Sequence, residues 1–182
     1  MEKGEKKKRE IIAKTADYIL ANGLQSASLR NLAKAANTSD RMLLHYFTNK
    51  EELFTVVLSS ISQQLISLLQ HADIKKQPFH TLVPFLYHMM QDPEVRPYIK
   101  LWLELITMAS DEHDSLKVVA RDICDHFYSF YQEILLVEEG EDVEQMAALA
   151  LVTVEGIALL DALGDDSRIG LALKAIEKRS NQ

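Results

Sequence analysis

Ten of the 20 lysines and arginines in this 182-residue chain fall within its first fifty positions: Lys3, Lys6, Lys7, Lys8, Arg9, Lys14, Arg30, Lys34, Arg41 and Lys50. Five acids accompany them, so the segment carries a net +5 while the remainder carries −12, within a total of −7. Clustered cations can bind a polyanion by releasing its condensed counterions. A basic tail that only improves solubility would give the same count, so charge alone leaves both readings open.

Other chemistries find little support. The sequence holds no Gly-rich phosphate loop, no Gly-x-Ser-x-Gly elbow and no His-Glu-x-x-His pair, so no enzyme and no cofactor is expected. His71, His80, His88, His113 and His126 do not fall four apart from one another, and Cys124 and His126 diverge on a helix, so no metal site is expected. His88 and Asp92 share a face, but two ligands do not make a site. The single cysteine excludes a disulfide framework and a Cys-based zinc finger, and fits a reducing cytosol.

The elements that must carry the cations are helices. At 47% hydrophobic and 26% charged, the chain has a globular composition, and 6 Gly and 4 Pro are too few for a many-stranded sandwich. Apolar residues at Ile12, Ala16, Ile19 and Leu20 predict a helix over about 5–22, stopped by Gly23. Ser28 is placed to cap a short helix at 29–36 and Ser39 another at about 40–46, with Asn37 in the tight turn between them. Asn49 with Glu52 reads as a capping box opening a long helix to about residue 70. A polar linker, 71–77, leads to a helix begun at Pro78 and interrupted by Pro84. Further helices are expected at about 98–110, 115–137, 143–163 and 167–179, with the acidic loop Asp111-Glu112-His113-Asp114 after the first. The expected fold is all-α, with about nine helices: a three-helix head followed by a helical-bundle body.

No targeting signal is expected at the N-terminus, because Lys14 breaks the short apolar run Ile11-Ile12-Ala13. Thr153, Glu155 and Asp161 interrupt Met146–Leu163, which on that reading falls short of a membrane span. A soluble cytoplasmic protein without a membrane partner is therefore expected.

Three short helices, the last two separated by a tight turn, form a helix-turn-helix. A short second helix fits the roughly 12 Å major groove while the first crosses the backbone. Ser28-Leu29-Arg30-Asn31-Leu32-Ala33, then Ser39, Leu43, His45-Tyr46-Phe47 and Lys50-Glu51-Glu52-Leu53-Phe54, resemble the signature of TetR/AcrR-family transcriptional regulators. The resemblance covers about the first third of the chain; beyond it, Glu155-Gly156 resembles an acid-Gly pattern of the penultimate helix.

The resemblance implies a homodimeric, usually repressing regulator, with a DNA-binding head over 1–50 (its first connecting turn reaching about 54) and a ligand-binding and dimerisation body over 51–182. Double-stranded DNA with a palindromic operator, a small-molecule ligand and a second copy of the chain would be the partners. Ser28 and Lys50 would contact phosphates, with Arg30 beside them. Thr38, Ser39, Asp40, Arg41, Leu44, His45 and Tyr46 would belong to the recognition segment, with Phe47 packed beneath it. The sequence departs from the family pattern at Asn37, Thr38, Arg41, Met42 and Leu44. Arg41 either reads guanine or neutralises a phosphate, the phosphate being favoured; Leu44 either touches a thymine methyl or is buried.

In the body, the helix at 143–163 is apolar nearly all round and must be covered on both sides. Leu149, Val152, Gly156, Leu159, Leu160 and Leu163 are the candidate dimer residues, and burial within one subunit is the alternative. Tyr87, Met90, Trp102 and Leu105, with Met108, Phe127 and Tyr131, are candidate ligand-pocket residues, although each could be simple core. Glu155 and Asp161 could face a cationic ligand; for Glu155, solvent or a partner subunit is favoured over that role. The leading expectation is a repressor released from its operator by a small molecule. An alternative keeps the DNA head on a body that assembles or binds a partner without an effector. A third makes the chain a small helical enzyme or binding protein with a degenerate motif.

Overall fold

A computed structural model describes residues 2–71, 74–110 and 114–179. Asp111, Glu112 and His113 of the expected acidic loop, and 72–73 of the linker, lie outside the described residues. The chain divides into two compact units: Met1–Ser67 with Lys100–Ile123, and Leu68–Ile99 with Cys124–Gln182.

The first unit begins with α1 (Glu2–Asn22), a 3₁₀ turn (Leu24–Ser26), α2 (Leu29–Ala35) and α3 (Asp40–Tyr46). The basic run Lys6–Arg9 is therefore helical. Ile11, Ala16 and Ile19 of α1 are buried, as are Leu32 and Ala33 of α2, and Leu43 and Phe47 in and beyond α3. The one polar group in this part of the core is satisfied within its own helix: Thr15 Oγ1 donates to Ile11 O at 2.7 Å and Ile12 O at 2.9 Å.

Local hydrogen bonds mark each helix start. Ser28 Oγ accepts from Asn31 N at 3.2 Å, and Ser39 Oγ from Met42 N at 3.3 Å. At α4 (Lys50–His71), Asn49 Oδ1 accepts from Glu52 N at 2.8 Å while Glu52 Oε2 reaches back to Thr48 N at 2.6 Å. The turn after α2 closes on its own helix. Asn37 takes the left-handed φ of 51°, Asn37 N donates to Lys34 O at 3.1 Å, and Thr38 N donates to Ala33 O at 2.9 Å. This is a Schellman closure, in which Gly is favoured and Asn is the usual substitute.

Helices α4, α6 (Arg96–Ser110) and α7 (Asp114–Ile134) have residues in both units. The second unit also contains α5 (Phe79–Met90), α8 (Val143–Ala162) and α9 (Asp166–Arg179), and these three pack on one another. Pro78 stands as the N-cap of α5 rather than inside its first turn, and Pro84 is accommodated within the helix. Among the described residues the only extended pairing is one bridge, Gln77 to Leu135, made by Gln77 N to Ile134 O and Leu136 N to Gln77 O at 3.1 and 3.0 Å. Periodicity could not anticipate either this bridge or the 3₁₀ turn, because both depend on a few backbone bonds.

The expectation that Met146–Leu163 falls short of a membrane span does not hold for α8. Both it and α4 are long and apolar enough to cross a membrane by length and composition, with mean hydropathies of 1.7 and 1.4 over their most apolar 18 residues. Glu155 and Asp161, inside the apolar run, do not lower the average enough to prevent that.

Candidate nucleic-acid interface

Helix α3 is held from below and open above. Leu43 and Phe47 anchor it in the core, while Asp40, Arg41, Met42, Leu44 and His45 are exposed and Tyr46 is half-buried. Leu44 is 48% exposed, so the burial alternative for it does not hold. His45 and Tyr46 stack edge to face, with ring centroids 5.3 Å apart. Ser39, Ser28, Arg30 and Lys50 are exposed and Thr38 is half-buried, so every residue assigned to the interface has surface to offer. The capping bonds of Ser28 and Ser39 use hydroxyl lone pairs, leaving each O–H proton available to an outside acceptor.

The cations on α1 divide. Lys8 is drawn inward: its Nζ lies 5.0 Å from the Phe47 ring centre and 3.9 Å from Glu52 Oε1. Lys7 pairs with Glu10 at 3.3 Å. Lys6 and Lys7, with Gly4 and Glu10, line an open cleft of about 590 Å³ whose other wall is Tyr46. Reading the sequence missed this association of α1 with the end of α3, although helical numbering already placed Lys6 and Lys7 in the first two turns. Lys50 Nζ sits 4.9 Å over the Phe54 ring, which orders the start of α4.

Glu52 is held below its ordinary carboxylate value, chiefly by its hydrogen bonds from Thr48 and then by the charge of Lys8. This carboxylate fastens the loop after α3 to α4. The interface therefore consists of exposed polar, basic and apolar side chains on short, capped helices over a rigid apolar floor.

The body residues divide as well. Trp102, Leu105 and Met108 belong to the first unit; Tyr87, Met90, Phe127, Tyr131 and Glu155 belong to the second. Within the second unit the Phe127 and Tyr131 rings lie 6.5 Å apart, and Tyr131 is buried. Burial, then the charge of Glu155 and the Cys124 thiolate, raise the Tyr131 hydroxyl above its ordinary pKa. Cys124 is raised too, by burial first and then by Glu155 and Asp125. Tyr87 has different neighbours: burial and then the charges of Asp166 and Asp161 raise it.

Asp161 is not an open counter-charge. Its Oδ2 receives Arg96 Nη1 at 2.6 Å and its Oδ1 receives Gln91 Nε2 at 2.9 Å. The residues are 65 and 70 positions away, so spacing within α8 gave no sign of them. A separate surface cleft of about 520 Å³, walled by Phe79, Met146, Leu149 and Ile176 with Glu138, Glu141 and His80 among its polar lining, includes none of the candidate pocket residues. Among the described residues, no group of three or more His, Cys, Asp or Glu could hold a metal ion.

The apolar surface of α8 resolves into two stripes. Ala147, Ala150, Val154 and Ile157 are buried, whereas Leu149, Val152, Gly156 and Leu159 are exposed, followed by Leu163 at the C-cap. Leu160 is half-buried between them. The exposed series advances by three and four residues, the spacing of a helix–helix seam. Leu171 on α9 is 66% exposed as well.

Residues 11–57 match the family model for "Bacterial regulatory proteins, tetR family". The chain is 23% identical over 160 residues to the HTH-type transcriptional regulator PksA of Bacillus subtilis (strain 168), covering 85% of this chain and 78% of that protein. Among solved structures, a TetR-family transcriptional regulator from Cytophaga hutchinsonii superimposes with a TM-score of 0.72 at 19% identity, covering 98% of this chain and 94% of the other. The multidrug binding protein EbrR, solved with proflavin, superimposes with a TM-score of 0.72 at 16% identity, covering 95% and 98%. These two structural likenesses speak for the fold.

Proposed function

We propose that the chain is a DNA-binding transcriptional regulator of the TetR family that acts in the cytoplasm as a homodimeric repressor of a palindromic operator. The observation that carries the proposal is the exposed stripe of α8, where Val152 is 70% and Leu163 is 72% exposed. Burying such a stripe against a second copy removes apolar area worth about 25 cal/mol per Å². A two-fold contact of this kind presents two α3 helices, which suits a site with two inverted half-sites. We read α8 as a subunit interface rather than a membrane span, because it carries Glu155 and the Arg96-paired Asp161.

Arg30, Arg41 and Lys50 would neutralise phosphates and the Ser28 hydroxyl would donate a hydrogen bond to one, with Lys6 and Lys7 beside Tyr46 extending the contact along the backbone. Thr38, Ser39, Asp40, Leu44, His45 and Tyr46 would approach bases and sugars. A small molecule would release the repressor by binding better to a conformation unsuited to the operator. The structural neighbour solved with proflavin supports an effector, as does the aromatic pair of Phe127 and Tyr131, on whose hydroxyl the charge of Glu155 acts.

The test combines sedimentation with DNA fragments selected by the full-length protein from a random pool. A dimer selecting inverted half-sites, with affinity falling steeply against log salt, is expected. A monomer, or a salt slope near zero, would remove the reading.

A further inference from the structure

The turn after α1 is closed by a different helix. Gly23 has φ 78° and ψ 166°, a region open to glycine alone. Its own N–H donates to Ile19 O at 2.8 Å, but that backbone geometry turns the next amide away from α1. Leu24 is 3% exposed, and a buried N–H without an acceptor is costly. Glu104 of α6 supplies the acceptor: Leu24 N donates to Glu104 Oε2 at 2.7 Å, across 80 residues of sequence.

The fit is close. A Cβ added at Gly23 would lie 2.8 Å from both carboxylate oxygens of Glu104. Glycine at 23 therefore serves twice, by permitting the backbone angle and by admitting the carboxylate. The bond lies within the first unit, which joins the N-terminal helices to Lys100–Ile123. Eight residues before Glu104 on the same helix, Arg96 makes its ion pair with Asp161 in the second unit.

We propose that Glu104 is a positioning residue for DNA binding: through Leu24 it fastens the 3₁₀ turn, and with it the helix-turn-helix, to α6. The head is thereby tied to the part of α6 that lies in its own unit, while α2 and α3 keep their own local closure. The inference rests on the dimeric reading given above. Truncating Glu104 leaves the recognition helix intact and loosens its placement, so two-site binding suffers and one-site binding does not.

The experiment uses the full-length protein, the selected two-half-site DNA, and a fragment carrying one half-site. Glu104→Ala is expected to weaken two-half-site binding about tenfold, the scale of one hydrogen bond to a charged group, and to leave one-half-site affinity within about twofold. Amide hydrogen exchange at Leu24 should accelerate by a similar factor. Glu104→Gln, which retains a side-chain oxygen acceptor, is expected to restore most of both. If Glu104→Ala lowers affinity for both fragments equally, Glu104 only supports the fold of the head and the proposal fails. The proposal also fails if wild type prefers two half-sites and Glu104→Ala preserves that preference in full. Wild type binding both fragments equally well would instead remove the dimeric reading, and this inference with it.

Discussion

Helices α3 and α8 both turn side chains outward, but with opposite chemistry. The seven residues of α3 expose Asp40, Arg41, Met42, Leu44 and His45, a mixed set dominated by groups that water solvates well. The 20 residues of α8 and its C-cap expose Leu149, Val152, Leu159 and Leu163, which water solvates poorly. The apolar stripe can be stabilised by covering it with another apolar surface. The mixed set gains from a polyanion whose grooves offer both hydrogen-bond partners and methyl groups. Exposure alone does not identify a partner; the chemistry of what is exposed narrows it.

The contrast is most severely tested by putting charge into the apolar stripe. Val152→Glu with Leu163→Glu is expected to give a folded monomer by sedimentation, because both positions are exposed in the subunit. Loss of the second head from each complex should weaken two-half-site binding by roughly 10²–10⁴. A dimer persisting in that variant would move the interface elsewhere.

Removing charge from the head should have a smaller effect of a different kind. Arg41→Ala with Lys50→Ala is expected to keep the dimer and reduce the log–log salt slope by about two units per subunit, with at least a tenfold loss of affinity at low salt. An unchanged slope would mean that neither cation meets phosphate.

Smaller again is the apolar component of α3. Replacing thymine by uracil in the selected DNA removes single methyl groups, each worth about 0.8 kcal/mol when buried, or roughly fourfold in affinity. One such position per half-site should be sensitive in wild type and insensitive in Leu44→Ala. Equal sensitivity in both proteins would assign the methyl contact to another residue.

The smallest expected effect concerns Glu52, whose pKa is lowered by the Thr48 hydrogen bonds and by Lys8. A carboxylate with a depressed folded-state pKa stabilises above its unfolded value, and that contribution is lost as pH falls through the folded value. Thermal stability should therefore decline as pH drops below about 4.5, the ordinary value for this group. Glu52→Gln should flatten that part of the profile, and an unaltered profile would show that the capping bond is not what titrates.

Much of the head was legible from the residues because its fastenings are local. Ser28 to Asn31, Ser39 to Met42 and Asn49 to Glu52 each span three residues, so capping chemistry and helix starts can be read together. Asn37 likewise announced a turn that the chain closes with its own carbonyls. On α8 the residue types indicated an excess of apolar surface, but not that Ala147, Ala150, Val154 and Ile157 would be covered and the other stripe left open.

Asp161 shows where reading along the chain stops. Between apolar neighbours it invited assignment to a cationic ligand, whereas Arg96 and Gln91 meet it from the segment between α5 and α6 and the first turn of α6. Gly23 shows the same limit from the opposite side. Its type predicted the end of α1, and nothing nearby predicted that Glu104 would accept the following amide. Helical periodicity and capping arise from interactions a few residues apart, and charge segregation from residue order, so residue types at their positions along the chain are enough to establish them. The partners of Leu24 and Asp161 come from 65 to 80 residues away, so they exist only once packing has brought separate helices together.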